Sequence, residues 1–197
     1  MKRLNEIWVV FVVAAMLQAC AMGSTPQGET FPELARYRKV MIEPVSVELD
    51  ERWGYTPTGT RLSLDEDDAR RVKEWVAEVF DRSFGEELAE GGKLEIVDRA
   101  GPGVARIRPR LTEVYLNAPL PEDHTGVILG RTVGNLQIEA KFEDSVSGET
   151  LLELRDKVRG RDIGMLRTAS SAYNRTELRR VFEDWARIIR EDIFLAR

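Results

Sequence analysis

The residues that most often carry out chemistry are scarce in this chain. Its 197 residues include one cysteine, Cys20, and one histidine, His124. That composition excludes His/Cys zinc sites, Cys–His nucleophiles and every Ser–His–Asp triad that lacks His124. His124 follows two acidic residues and could be half of a metal site, although a solvated loop histidine fits its context better. We therefore predict no enzymatic activity, no catalytic residue, no metal and no cofactor.

Cys20 lies at the end of a segment that is typical of secreted proteins. Two basic residues at positions 2 and 3 precede an apolar run at 7–17, which is about half the ~20 residues that a membrane-spanning helix needs. The run ends in LQAC, the pattern of a bacterial lipobox. This pattern predicts a signal peptide over residues 1–19 and acyl chains on Cys20 that hold the protein on a membrane. The alternatives are a plain secretory signal and an uncleaved anchor.

The position after Cys20 and the overall charge indicate where the protein lies and what it does not bind. Ala21 stands where an aspartate would favour retention in the inner membrane, so we expect the outer membrane, with the protein facing the periplasm. A net charge of −5 argues against nucleic acid as a partner. Residues 20–36 are rich in Gly, Pro and Ser and predict a lipidated N-terminus and tether, followed by one domain over 37–197.

The elements of this domain follow from the spacing of its apolar residues. One long helix is predicted after a capping box formed by Ser63 and Glu66, and a second helix starts near Asn174. Strands are predicted at 39–47, 94–97, 104–116, 135–143 and 152–159. This order predicts an α+β fold, a two-layer sandwich in which a largely antiparallel sheet of about five strands carries two long helices on one face.

The last two predicted strands also allow their pairing to be predicted. Their apolar residues all fall on even positions, so facing residues must have numbers with an even sum. A three-residue loop, Val146–Gly148, satisfies this condition if its glycine adopts a positive φ. The resulting register places Lys141 opposite Glu153 and Glu139 opposite Arg155 on the solvent side of the sheet, which is favourable for both pairs.

Three groups of residues are candidates for binding. Arg106, Arg108 and Arg110 share one face of a strand and could grip anionic headgroups or glycan phosphates, or else form an ion-pair ladder with neighbouring glutamates at 139 and 143. Trp53 and Tyr55, in the loop 51–61, could anchor a partner or fold over the edge of the core. A short apolar segment at 126–130 could contact a membrane or partner, or begin a buried strand.

Motifs along nearly the whole mature chain resemble one bacterial lipoprotein family, the domain-of-unknown-function family 3313. The resemblance implies the cellular location and the fold, and it implies no catalytic residue, cofactor or partner. The residues that carry it, besides the lipobox, are Tyr37, Val40, Ile42, Pro44, Val45, Val97-Asp98, Gly101-Pro102-Gly103-Val104, Arg106-Ile107-Arg108, Leu111-Thr112-Glu113, Glu139, Asp144-Ser145, Gly148-Glu149, Asp156, Gly160 and Asp184-Trp185-Ala186.

These observations lead to one functional hypothesis and one alternative. The hypothesis is a non-enzymatic cell-envelope lipoprotein that binds or supports another envelope protein at the periplasmic face of the outer membrane. The alternative is a carrier of a lipid or small apolar ligand between the sheet and the helices. A cavity of several hundred Å³ would favour the carrier, whereas a filled core with an exposed aromatic patch would favour the protein-binding module.

Overall fold

The computed structural model describes residues 31–56, 59–117, 128–130, 134–159, 167–169 and 171–196. Cys20, most of the tether, His124 and the first part of the apolar segment at 126–130 lie outside these residues. Within the described residues, no helix is both long and apolar enough to cross a membrane.

The described part of the chain contains strands, two long α-helices and one short α-helix. The helices are α1 (Pro32–Ala35), α2 (Glu66–Leu88) and α3 (Ser171–Ile188), and α3 continues as a π-helical segment, Ile189–Phe194. The strands are β1 (Lys39–Ile42), β2 (Ser46–Leu49), β3 (Glu95–Ile96), β4 (Val104–Leu116), β5 (Ile128–Gly130), β6 (Gly134–Asp144), β7 (Thr150–Arg159) and β8 (Arg167–Ala169).

The main sheet is mostly antiparallel and has six strands. Its order is β3-β1-β4-β6-β7, and β2 also pairs with β4, while β5 and β8 form a separate two-stranded sheet. The long pairings, β4 with β6 and β6 with β7, are antiparallel. The three short pairings of β1 and β2 are parallel, which the expected sheet of about five strands did not include. Parallel neighbours need a long crossover. The chain between β1 and β3, and that between β2 and β4, both include α2.

The predicted register of β6 and β7 is confirmed, but the predicted loop is wrong. Lys141 faces Glu153 and Glu139 faces Arg155, as the charge pattern indicates. The turn is one residue longer than predicted, because the N–H of Asp144 donates to the carbonyl of Glu149 across it at 3.0 Å. A bulge between the Phe142 and Glu143 pairings absorbs the extra residue. Gly148 has φ +73°, so the predicted positive φ is confirmed.

A second bulge interrupts β4 and reverses which side chains face the core. Ile107 and Leu111 are fully buried before the bulge, and Val114 is fully buried after it. Glu113 has φ +51°, and the pairing with β6 shifts by one residue between Thr112 and Tyr115. The odd-numbered side chains before the bulge therefore form the inner face of the sheet, and Arg106, Arg108 and Arg110 lie on the outer face.

The helices begin at residues other than those predicted. The capping box of α2 is formed by Asp65 and Asp68 rather than by Ser63 and Glu66: the Asp65 carboxylate accepts the Asp68 N–H at 2.9 Å, and the Asp68 carboxylate accepts the Asp65 N–H at 3.1 Å. An aspartate is as good an N-cap as serine. Asn174 lies inside α3, where its side-chain amide donates to the Asn117 carbonyl at 3.0 Å.

The two long helices run side by side in the same direction and share one core with the inner face of the sheet. The residue numbers of the contacting pairs increase together along both helices. The Arg175 guanidinium lies 5.5 Å from the Trp75 ring, and the rings of Phe80 and Phe182 are 5.0 Å apart. The next pair along, Phe84 and Trp185, has centroids 5.6 Å apart. The core is therefore closed by aromatic contacts between helices.

Strand directions give the domain two distinct ends. At the proximal end lie the start of β4, the end of β6 and the 145–148 turn. At the distal end lie the end of β4, the start of β6 and the end of β7. Chain segment 31–37 enters at the proximal end, since it leads directly into β1, whose first residue faces Val104. We call 31–37 the attachment segment.

Candidate functional site

The three predicted arginines lie on the outer face of β4, and each contacts carboxylates on both sides. Arg108 Nε lies 3.1 Å from Glu43, which follows β1, and its Nη1 lies 3.3 Å from Glu143 on β6. Arg106 contacts the same two glutamates at 3.4 and 3.9 Å. Glu143 is 3% exposed, so its charge is held among these arginines away from bulk water.

The ladder continues towards the distal end. Arg110 lies 2.7 Å from Glu48 of β2 and 3.9 Å from Glu139 of β6. Glu139 in turn contacts Arg155 of β7 at 3.1 Å. Alternating positive and negative side chains thus run across four strands. A charge network of this kind offers a partner a mixed surface rather than a cluster of uncompensated positive charge.

The aromatic pair lies at the distal end in a loop that doubles back on itself. Trp53 is half-buried, and Tyr55 is 37% exposed. The loop is tied to β4, because the Tyr115 hydroxyl donates to the Tyr55 carbonyl at 3.0 Å and the Asp50 N–H donates to the Val114 carbonyl at 2.9 Å. Both aromatic residues therefore remain accessible to a partner on a loop that the sheet holds in place.

A groove of about 340 Å³ lies between α3 and the strand ends of the distal end. Its apolar lining consists of Leu116, Leu136, Val158, Leu178 and Val181. The remaining lining residues are polar or charged, with the exception of Gly134: Glu87, Asn135, Arg159, Glu177, Arg180, Glu183, Asp184 and Arg187. A ligand with both apolar and polar parts suits such a lining.

The attachment segment is fixed to the domain by a contact that the sequence analysis did not find. Leu34 and Tyr37 are 0% and 2% exposed. The Tyr37 hydroxyl donates to Asp144 Oδ2 at 2.8 Å, which joins this segment to the turn after β6. Burial raises the pKa of Tyr37, so the hydroxyl keeps its proton as donor. The two residues are 107 positions apart, and no local pattern indicates their contact.

A buried arginine closes the proximal end of the helix pair. The side chain of Arg190 is 8% exposed and contacts Glu87 at 3.1 Å, with Glu90 and Glu191 each at 3.2 Å. It also donates to the Glu87 carbonyl near the C-terminus of α2, where a positive charge is favourable. Desolvation, and then the nearby Glu90, raise the pKa of Glu87. Within the described residues, no group of three or more His, Cys, Asp or Glu side chains could hold a metal ion.

Fold and surface together define a small α+β domain whose six-stranded main sheet has a charged outer face. The chain belongs to the family Protein of unknown function (DUF3313), whose model matches residues 32–189. That match confirms the resemblance found in the sequence. No curated protein sequence matches the chain significantly.

Solved structures with a similar arrangement share little sequence with this chain. Protein XCC0632 from Xanthomonas campestris aligns with a TM-score of 0.42 at 8% identity, covering 80% of this chain and 85% of its own. The PelC dodecamer from Paraburkholderia phytofirmans gives 0.35 at 14% identity, covering 79% and 91%. Lipoprotein GNA1162 from Neisseria meningitidis gives 0.27 at 14% identity, covering 76% and 96%.

Proposed function

We propose that this chain is a cell-envelope lipoprotein that is held on the outer membrane through acylated Cys20 and faces the periplasm. Its domain binds or supports another envelope protein and catalyses no reaction. The observation that carries this proposal is the LQAC lipobox directly after a short apolar run. One acyl chain binds a membrane only marginally, whereas several chains on the same residue anchor a protein stably.

The attachment segment limits how far the domain can lie from the proposed anchor. About 11 peptide units separate Cys20 from Phe31, and a fully extended chain of that length spans at most ~38 Å. Leu34 and Tyr37 are packed into the core, and Tyr37 is tied to Asp144. The proximal end of the domain is therefore kept within about 38 Å of the bilayer.

Two surfaces are proposed to contact the protein partner. Trp53 and Tyr55 provide half-exposed aromatic rings on a tied loop, which is the type of anchor that dominates many interfaces. Arg106, Arg108 and Arg110 add a charged face whose signs alternate. Since each arginine already contacts carboxylates, this face contributes to partner selection more than to affinity.

The anchor is tested by replacing the acylated residue and its neighbour in cells. Cys20→Ser should abolish incorporation of labelled fatty acid and should move any processed domain into the soluble periplasmic fraction. Ala21→Asp is the matched control: it should keep the acyl label but move the protein to the inner-membrane fraction. Unchanged labelling of Cys20→Ser would overturn the lipoprotein proposal.

The partner surface is tested by photocrosslinking in intact cells. A photoreactive residue at Trp53 or Tyr55 should capture one and the same envelope protein. The control position is Glu74, whose side chain is 68% exposed on α2, and it should not capture that protein. Equal capture from all three positions would contradict a specific surface at the distal end.

The groove supports a second candidate function, carriage of a lipid or small apolar ligand. Its volume of about 340 Å³ and its five aliphatic lining residues suit one acyl chain. Lipid extracted from the purified full chain should then be stoichiometric, and Val181→Trp should remove most of it by filling the groove. Protein that yields no lipid from either form would leave the protein-binding function alone.

A further inference from the structure

Strand β7 forms one edge of the main sheet over its full length of ten residues. Among the described strands, only β6 pairs with it. An edge strand presents unpaired N–H and C=O groups along its length, and natural edges are usually short or covered for this reason. An edge of ten residues is long enough to pair with another strand.

Both faces of β7 are suited to such pairing. On the outer face, the side chains of Glu153, Arg155 and Lys157 are 69%, 69% and 61% exposed. On the inner face, Leu152 and Leu154 belong to the margin of the core but are only half-buried. A neighbouring strand would cover apolar surface on one face and would meet accessible charges on the other.

We propose that β7 pairs with β7 of a second copy of this chain, antiparallel, with Leu154 facing Leu154 across a two-fold axis. In this register Glu153 of each copy faces Arg155 of the other. The two main sheets then continue into each other, with both inner faces on the same side.

Parity and charge select this register over the others. For two copies to keep their inner faces on the same side, one residue must face its own equivalent across the axis. The regular part of β7 begins at Leu152, after the bulge. A pair centred on Leu152 is excluded, because it would place the bulged Leu151 opposite Glu153. Centring the pair on Glu153, Arg155, Asp156 or Lys157 places like charges opposite each other, at the axis itself. Centring it on Val158 places Lys157 opposite Arg159. Leu154 is the one centre between 153 and 158 that avoids every like-charge pair, and such pairs are destabilising.

Asp156 is the one unfavourable group in this register. It lies on the inner face of β7, opposite Ile138 within the chain, and would face Leu152 of the second copy. A charged residue pointing inwards is also a device by which edge strands avoid pairing. Asp156 is therefore either a tolerated charge within the pairing or a charge that prevents it, and its replacement distinguishes the two cases. Asp156→Leu strengthens a pairing that already exists, or it creates one where none was present.

Cysteine scanning tests the register in the full chain purified from membranes. Facing residues have Cα atoms about 4.5–5.5 Å apart, within the range for a disulfide, whereas diagonal neighbours lie at about 7–8 Å. Leu154→Cys should therefore form a disulfide dimer on mild oxidation. Glu153→Cys and Arg155→Cys, the matched controls, should form several-fold less. The unsubstituted chain reports any background from Cys20.

Charge exchange tests the contacts themselves. Glu153→Arg or Arg155→Glu alone places like charges opposite each other twice in the dimer and should raise its Kd on the order of tenfold. The double exchange, Glu153→Arg with Arg155→Glu, should restore the Kd to within about twofold of the original. Arg82→Glu, at a side chain 68% exposed on α2, is the control and should change nothing. Thermal unfolding verifies that each variant folds.

Three results would overturn the proposal. One is a full chain that stays monomeric by light scattering at every concentration; if Asp156→Leu alone then dimerises, β7 is a protected edge. Another is equal disulfide formation at 153, 154 and 155. The third is a double charge exchange that leaves the dimer as weak as either single variant.

Discussion

Asp144 joins the attachment segment to the turn after β6 through one carboxylate. Oδ1 accepts the N–H groups of Val146 at 3.0 Å and Ser147 at 2.8 Å, and Oδ2 accepts the Tyr37 hydroxyl at 2.8 Å. These donors, with the Ser147 N–H first, lower the pKa of Asp144 to about 2. The ionised carboxylate is thus the form that the fold prefers.

The depressed pKa predicts how stability depends on pH at this residue. A carboxyl whose pKa is lower in the folded state stabilises the fold above its unfolded pKa of about 4, and this contribution is lost as the pH falls towards 2. Asp144→Asn should therefore lower the urea midpoint at pH 7 and flatten its decline between about pH 4 and pH 2. Urea titrations across this range, with Glu74→Gln as control, measure the effect. Equal slopes for Asp144→Asn and the unsubstituted chain would contradict it.

A second prediction concerns the buried side chain of Arg190. Arg190→Met removes the cation next to Glu87, whose pKa is already raised by desolvation and by Glu90. Removing one partner of a fully buried ion pair costs about 3–5 kcal/mol, and since the Glu87 side chain is 17% exposed we expect a loss near or below the lower end of that range. Adding Glu87→Gln should recover much of this loss. Denaturant unfolding of both single variants and the double variant gives the coupling, and additive losses would show that the two side chains do not act together.

The hairpin of β6 and β7 shows what a sequence pattern can predict about elements. Alternating apolar residues and two opposite-charge pairs determined the facing partners correctly, because both depend on side-chain chemistry. The turn was predicted one residue too short, since the bulge near Glu143 depends on backbone geometry that no side-chain pattern reports. The same reason explains why the bulge at Glu113 was not predicted.

Two glycines test the backbone at the start of β6 and in the turn that follows it. A Cβ on Gly134, which has φ +141°, would lie 1.8 Å from the Tyr115 carbonyl oxygen, so β4 and β6 would have to separate. A Cβ on Gly148, which has φ +73°, would meet nothing within 4 Å. The left-handed backbone conformation is then the only source of destabilisation at this position. We expect Gly134→Ala to cost about 3 kcal/mol or more, and Gly148→Ala about 1–2 kcal/mol.

Chemical denaturation of the two variants measures this difference, with Gly101→Ala as the control. A Cβ on Gly101 would make only an ordinary contact of 3.9 Å with Val104. If Gly134→Ala were tolerated as well as Gly101→Ala, the close approach of β4 and β6 at this position would be wrong.

At the scale of the whole molecule, the fold class was predictable and the strand topology only in part. The alternation of β4, β6 and β7 indicates a half-buried sheet. The short strand β1 carries no pattern that distinguishes a parallel from an antiparallel neighbour. Glu139 and Glu143 could be named beforehand as partners of the arginines, because the pattern of β6 was readable. Glu43 and Glu48 could not, because they contact the arginines from the parallel side of the sheet, whose pairing the sequence did not indicate.

The central claim concerns the whole molecule: the domain is carried on a membrane by acylated Cys20. The most direct test is the intact mass of the protein purified from the membranes of cells that process lipoproteins. We predict a chain that begins at Cys20 and carries the additional mass of acyl groups, localised to that residue by fragmentation. A mass that fits a chain beginning at Met1, or one cleaved in this region without any acyl group, would contradict the claim.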